Sequence, residues 1–233
     1  MRVIGIVGRV YKNIDNQNII QVNESIRKII SSYDDVVFIL ILPVSNINYH
    51  NIKIGSDLLD ANDKRKLDYL LKLCDGFIIP GGTIWNNTDE YIIEYAINNN
   101  KPLLGSCLGF QCICSIFSIN RENKDMTSKL NSDNHYGKEL EYKHKIKILD
   151  NTKLKSILGN NEIMVNSLHH DYVNFPFEKL KISALSCDNV LEAVELDNHP
   201  FFIGLQWHPE YLSDINSKKI FDAFIETIKK LSN

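Results

Sequence analysis

With 233 residues, 44% of them hydrophobic and 24% charged, the chain has enough apolar material to bury one large core, and one domain over 1–233 is the default expectation. A formal net charge of -3 and a pI near 6.2 supply no basic footprint for phosphate, which argues against a nucleic-acid partner. The longest apolar run, "VVFILIL", stops at Pro43, far short of the roughly 20 residues a membrane helix needs, so no membrane partner is expected.

At the amino terminus, "RVIGIVG" reads as a strand, and "GIVGRV" within it lacks the Gly-x-Gly-x-x-Gly fingerprint of a dinucleotide site. The segment "MRVIGIVGRVYKN" turns polar too soon for a signal peptide, and five cysteines are an odd number for a disulfide framework. A reduced, cytoplasmic setting is expected. Apolar periodicity then predicts a helix near 18–32, the strand "VVFILIL", a helix near 62–73, the strand "GFIIPGG", a helix near 89–99, the strand "PLLG" and a helix from about 108. Such alternation predicts an α/β fold with a mostly parallel sheet, helices on both faces, and binding loops at the carboxyl ends of the strands.

The stretch 119–139 is polar with little periodicity and is expected to be a mobile loop near the site or a connection between sheet regions. Beyond residue 140 the strands come closer together: "YKHKIKIL", "EIMVN", "KISALSC", "VLEAVEL" and "FFIGLQW", before an amphipathic helix near 214–231. A smaller antiparallel portion is expected there. In "KHKIKIL", Lys143, Lys145 and Lys147 alternate with His144, Ile146 and Ile148, the pattern of a strand with one wet face.

Three motifs carry chemistry. In "GSCLGFQ", Gly105 and Gly109 flank Cys107 at the spacing a sharp strand-to-helix turn demands, because the two backbones pass close together there. A thiol at such an apex sits at a helix N-terminus, where unpaired N–H groups favour the thiolate; a buried thiol at an ordinary tight turn is the alternative. In "GLQWHPEYL", His208 and Glu210 share a face if the segment is extended, so the carboxylate can orient the imidazole; a surface histidine after a strand is the alternative. The strand ending Pro80, Gly81 and Gly82 offers backbone amides suited to an oxyanion, or is a plain turn. The adjacent His169, His170 and Asp171 lack metal-ligand spacing, and no metal or other cofactor is expected. Cys74, Cys112, Cys114 and Cys187 read as packing residues.

"PGG", "GSCLGFQ" and "GLQWHPE", in this order over nearly the whole chain, resemble the class I glutamine amidotransferase superfamily with its Cys-His-Glu triad. "VNSLHHDYV" and the tryptophan of "QWHPE" are most similar to its gamma-glutamyl-gamma-aminobutyrate hydrolase branch. The resemblance implies a three-layer α/β/α, flavodoxin-like fold, with Cys107 as nucleophile, His208 as base and Glu210 as its orienter. It further implies that the amides of Gly82 and Leu108 form the oxyanion hole and that Gln111, Ser167 and His169 contact a small gamma-glutamyl substrate. The implied reaction is hydrolysis of a gamma-glutamyl amide through a thioester, without a cofactor. Leu108, where many branch members carry arginine, and "TIWNNTDEY", without their aspartate, match the branch less well. Leu108 is also frequent in glutaminase subunits, so the alternative is a glutaminase supplying ammonia to a separate synthetase. A non-catalytic regulator binding a glutamyl ligand is a further option, disfavoured by a complete triad. A synthetase partner belongs to the glutaminase alternative, while a homodimer is open under either. Trp85, if exposed, would be a substrate lid or a partner contact.

Overall fold

A computed structural model describes residues 1–44, 58–119, 127–129, 135–137, 141–174 and 176–231. In chain order its elements begin with β1 (Arg2–Val7), β2 (Arg9–Lys12), β3 (Asn18–Gln21), α1 (Glu24–Ser31), β4 (Val36–Ile41), α2 (Ala61–Leu71), β5 (Gly76–Ile79) and α3 (Asn87–Asn98). β6 (Leu103–Ser106), α4 (Leu108–Ile116), β7 (Thr127–Lys129), β8 (His144–Ile148), α5 (Lys153–Leu158) and β9 (Glu162–Val165) follow. The chain then runs through β10 (Asp171–Val173), β11 (Leu180–Ser186), β12 (Leu191–Leu196), β13 (Phe202–Leu205), a 3-10 turn (Pro209–Tyr211) and α6 (Ile215–Leu231).

Nine strands form one sheet in the order β4-β1-β5-β6-β13-β12-β11-β8-β9. The pairs from β4 to β13 are parallel and those from β13 to β9 antiparallel. The two halves expected from the strand spacing are therefore continuous, joined where β13 lies between β6 and β12. β5, β6 and β13 are buried along their whole length, as parallel strands covered on both faces must be, and this explains their unbroken apolar runs. β8 alternates buried and exposed residues, leaving Lys145 and Lys147 in solvent.

The side chains of β5 divide between two cores. Ile78 packs with α1, α5 and α6 on one face, whereas Phe77 and Ile79 pack with α2, α3 and α4 on the other. This is the expected three-layer α/β/α arrangement. No described helix is long and apolar enough to cross a membrane.

Two local readings change. Asn18–Gln21 is a strand paired with β2 and not the start of a helix, because Asn13 closes the intervening turn and Asn16 takes φ 59°, a left-handed value Asn tolerates. The helix begins only after Asn23, whose side chain accepts from the Ser25 N–H as an N-cap. Much of the polar stretch 119–139 lies outside the described residues. Those described within it include β7, antiparallel to β10, and the segment 135–137.

The short helix α5 is held from outside. Glu195, buried in β12, accepts from the N–H groups of Lys153 at 2.7 Å and Leu154 at 3.1 Å. A carboxylate at a helix N-terminus meets unpaired amides and a favourable dipole. Glu195→Ala strands two amides beside the buried Leu154 and is expected to lower stability by about 1–3 kcal/mol, read as a lower urea midpoint.

Candidate active site

β5, β6 and β13 are adjacent parallel strands, and the three motifs follow their carboxyl ends. Ser106 pairs with Leu205 at the last register of β6 and β13, and the Cys107 N–H donates to the Leu205 carbonyl at 2.8 Å. Cys107 then turns directly into α4 with φ 49° and ψ -104°, values that L-residues rarely adopt. The flanking glycines make this turn possible. A Cβ on Gly105 would meet the Gly109 backbone at 3.1 Å, and one on Gly109 would collide with the Ile79 carbonyl. The expected sharp turn is thus present, with Leu108 as the first helical residue and its N–H among those that helix geometry leaves without a carbonyl four residues back.

His208 follows β13 and packs against this apex. A Cβ on Gly81 would lie 3.2 Å from His208 Nε2 and 3.3 Å from Cys107 Cβ, so a glycine is needed where Pro80-Gly81-Gly82 passes both side chains. His208 Nδ1 lies 2.7 Å from Glu210 Oε1, and the Ser106 hydroxyl donates to the same oxygen at 3.4 Å. The pairing arises differently from the sequence expectation. His208 and Glu210 are brought together by the 3-10 turn at Pro209–Tyr211, not by an extended segment. The Tyr211 ring stacks on the imidazole at a centroid separation of 5.1 Å.

Asn166, just after β9, fixes the backbone of His208 in both directions. Its amide donates to the His208 carbonyl at 2.9 Å and its oxygen accepts from the His208 N–H at 3.0 Å. Burial opposes charge on His208, but the Glu210 carboxylate and the Cys107 thiol outweigh it, and the imidazole is raised well above its ordinary pKa. A His208 that holds its proton between the Glu210 carboxylate and the Cys107 side chain is placed to pass that proton to a group leaving from the Cys107 side.

Gly82 and Leu108 lie side by side: a Cβ on Gly82 would sit 3.2 Å from Leu108 Cδ2. The loop carrying Gly82 is braced by Arg9, whose guanidinium donates twice to the Pro80 carbonyl, at 3.0 and 2.7 Å, and pairs with Asp89 at 2.5 Å. Asp89 also accepts from the Asn86 N–H in the capping box that starts α3. Arg9, Asp89 and Asn166 escaped the sequence reading, although the Asn-x-x-Asp spacing of a capping box was visible at Asn86. Beside Cys107 opens a cleft of about 210 Å³, lined by Arg9, Tyr11, Gly81, Leu168 and His208 among others.

The expected substrate contacts fare differently. The Gln111 amide donates to Gln206 Oε1 at 3.2 Å, beneath the turn. The Ser167 hydroxyl donates to the His135 carbonyl at 2.6 Å, and His169 Nδ1 lies 2.9 Å from the Asp171 carbonyl. Neither Ser167 nor His169 lines the cleft; Leu168 between them does, because alternate residues of an extended segment face opposite ways. His170 is exposed and stacks on Tyr136. Trp85 is buried, with Nε1 bonded to Glu90, so it is a packing residue and not an exposed lid. Cys74, Cys112 and Cys114 are buried as expected, whereas Cys187 is exposed. Burial raises Cys74 to about 12, which keeps that thiol protonated.

His169 instead joins His135, His144 and Glu192 in a buried group whose ligand atoms lie within 4.8 Å of one another and could hold a metal ion. Burial lowers His144 to about 4 and His169 to about 3, leaving both rings neutral near pH 7, and raises Glu192 to about 7.

The model of one protein family, Peptidase C26, matches residues 83–210, more than half of the chain and including Cys107, His208 and Glu210. The chain belongs to the Peptidase C26 family. It is a class I glutamine amidotransferase-like domain, and membership implies cysteine-dependent amide hydrolysis. Among curated relatives of this family member is the CTP synthase of Thermotoga maritima, 31% identical over an alignment of 202 positions that covers 70% of this chain and 37% of the relative. A glutamine amidotransferase-like protein of Rickettsia prowazekii is 27% identical over an alignment of 238 positions that covers 75% of this chain and 84% of that one. The chain thus spans 37–40% of the length of the first two CTP synthases it matches. The glutaminase domain of Trypanosoma brucei CTPS with bound acivicin shares its fold, with a TM-score of 0.72 at 19% identity, over 99% of this chain and 94% of that one. A GMP synthase component from Thermoplasma acidophilum gives 0.65 at 19% identity, over 100% and 96%.

Two measurements follow from this geometry. Glycine relieves the positive φ at position 107 and alanine does not, so Cys107→Gly is expected to be more stable than Cys107→Ala by about 1 kcal/mol in urea unfolding. A histidine whose folded pKa lies above its unfolded value adds stability below about pH 6.5, and that contribution fades as pH rises through the folded pKa. Glu210→Gln removes a main source of the elevation, so wild type's stability advantage over this variant should narrow from pH 6.5 upward into the alkaline range, in urea melts at fixed salt.

Proposed function

We propose that this chain is a glutaminase that hydrolyses the side-chain amide of glutamine and delivers the ammonia to a synthetase. The observation that carries the reading is the juxtaposition of Cys107, on its strained strand-to-helix turn, with His208 hydrogen-bonded to Glu210. CTP synthase relatives and the likeness to a CTPS glutaminase domain support glutamine as the substrate. In this reading the Cys107 thiolate attacks the amide carbon, and the amides of Leu108 and Gly82 hold the oxyanion. His208 gives its proton to the departing ammonia, leaving a gamma-glutamyl thioester on Cys107. It then takes a proton from the attacking water, and glutamate leaves as the thiolate is restored. Glu210 keeps the imidazole in the required tautomer and stabilises its charged form.

One feature favours a second reading, hydrolysis of a larger gamma-glutamyl conjugate such as gamma-glutamyl-gamma-aminobutyrate. The cleft extends past Cys107 to Tyr11, Gln21 and Asn23 of the β2–β3 region, polar groups able to receive a bulkier leaving amine. Ammonia release from L-glutamine and amine release from the aminobutyrate conjugate, measured separately, discriminate the two. Cys107-dependent glutamine cleavage, slow in the isolated chain and faster than conjugate cleavage, is expected; the reverse order moves the assignment to the second reading. Cys107→Ala should lower kcat by at least about three orders of magnitude, and His208→Ala should cost more than Glu210→Gln. Retained turnover in Cys107→Ala sinks both readings.

A further inference from the structure

Of the two glutamates buried in β12, Glu195 is explained by the α5 amides it accepts from, and Glu192 is not. Glu192 is fully buried, and among the described residues neither of its oxygens has a hydrogen-bond partner. Around it stand three buried imidazoles: His135 Nδ1 at 3.4 Å, His144 Nε2 at 3.5 Å and His169 Nε2 at 3.8 Å from Glu192 Oε1. None of these contacts has hydrogen-bond geometry, and each facing nitrogen is itself unpartnered among the described residues. A buried carboxylate facing three buried ring nitrogens with no hydrogen bond between them is an arrangement that costs several kcal/mol unless a positive charge, a proton on one ring or a metal ion, occupies its centre.

The outer ends of two rings are already set for ligation. His169 Nδ1 donates to the Asp171 carbonyl, which leaves the lone pair on Nε2 toward the cluster. His135 Nε2 lies 3.1 and 3.2 Å from the Asp188 carboxylate, itself held by the Ser186 hydroxyl, so that in the neutral ring the proton sits on Nε2 and the lone pair of Nδ1 faces Glu192. A carbonyl or carboxylate behind each ring is the usual support of a metal-binding histidine. Three imidazoles and one carboxylate suit zinc, whose bonds of about 2 Å in a tetrahedron separate ligand atoms by about 3.3 Å. The contacts at 3.4 and 3.5 Å already approach that spacing.

The geometry points to a structural Zn²⁺ site built from His135, His144, His169 and Glu192, separate from the Cys107 site. Four protein ligands leave no open position, so the ion ties chain segments together and performs no chemistry of its own. One of these segments, that of His169, also walls the cleft through Leu168. The His135 carbonyl accepts from the Ser167 hydroxyl and the His169 N–H, enclosing Leu168, which lines the cleft, and Asn166 in the same stretch clamps His208.

The test is metal content and unfolding temperature of the full chain, stripped with chelator, loaded with Zn²⁺ alone and dialysed against metal-free buffer. One equivalent per chain and a raised unfolding midpoint are expected, together with the visible bands of a tetrahedral nitrogen–oxygen site when Co²⁺ replaces zinc. Glu192→Gln and His144→Ala should each lose the equivalent and the bands, whereas Cys107→Ala should keep both. Wild-type protein that retains no zinc and shows no midpoint shift overturns the assignment whether or not the variants fold. So does an unchanged Co²⁺ spectrum in Glu192→Gln and His144→Ala, or loss of the metal in Cys107→Ala, which would place binding at the Cys107 thiol.

Discussion

The close passage of two backbones at Cys107 governs the rest of the molecule. β6 must end, reverse its direction of travel and start α4 within one residue, while β5 runs alongside close enough for its Ile79 carbonyl to fill the space a side chain on Gly109 would take. Only glycines at 105 and 109 allow this. The cysteine between them is left with a positive φ, a strain of about 1–3 kcal/mol that the surrounding sheet and helix must absorb. In return the thiol is lifted out of the sheet plane, at a helix start, against the residue that follows β13. Strand order places that residue there: β13 is the last strand in sequence but the direct neighbour of β6 in space.

Around this apex the protein solves a recurring electrostatic problem, the burial of carboxylates. Glu210 answers to His208, Asp89 to Arg9, and Glu195 to the amides of α5. Each pairing also performs a positioning task. The first orients an imidazole, the second anchors the Pro80 carbonyl and so the glycine amides after it, and the third fixes a helix that local propensity would not hold. Because a buried charge without a partner is far more costly than an exposed one, such pairs restrict the loops to one arrangement. Of these four buried carboxylates Glu192 alone has no hydrogen-bond partner among the described residues, only three imidazoles around it.

Legibility in the sequence follows contact range. The apolar runs of β5, β6 and β13 were readable because a parallel strand buried on both faces needs them, and the alternation of β8 showed its wet face directly. The glycine spacing about Cys107 and the short interval from His208 to Glu210 are local and were visible too, although the latter pair meets through a 3-10 turn. The strand at Asn18–Gln21 was misread because "NIIQVN" runs without a break into α1, and its polar and apolar spacing suits either period. Trp85 and Cys187 could not be placed from composition, since both residue types occur inside and outside folded proteins.

By itself, then, the sequence determined the alternation of strands and helices, the turn at Cys107 and the identity of the histidine and glutamate near it, because these depend on neighbours a few residues apart. Tertiary structure alone decided that Arg9 meets Asp89 across 80 positions, that Asn166 grips His208 across 42, and that His169 turns from the cleft toward Glu192. No periodicity records such meetings. They are set by which strands become neighbours, and that order is chosen by the packing of the whole sheet.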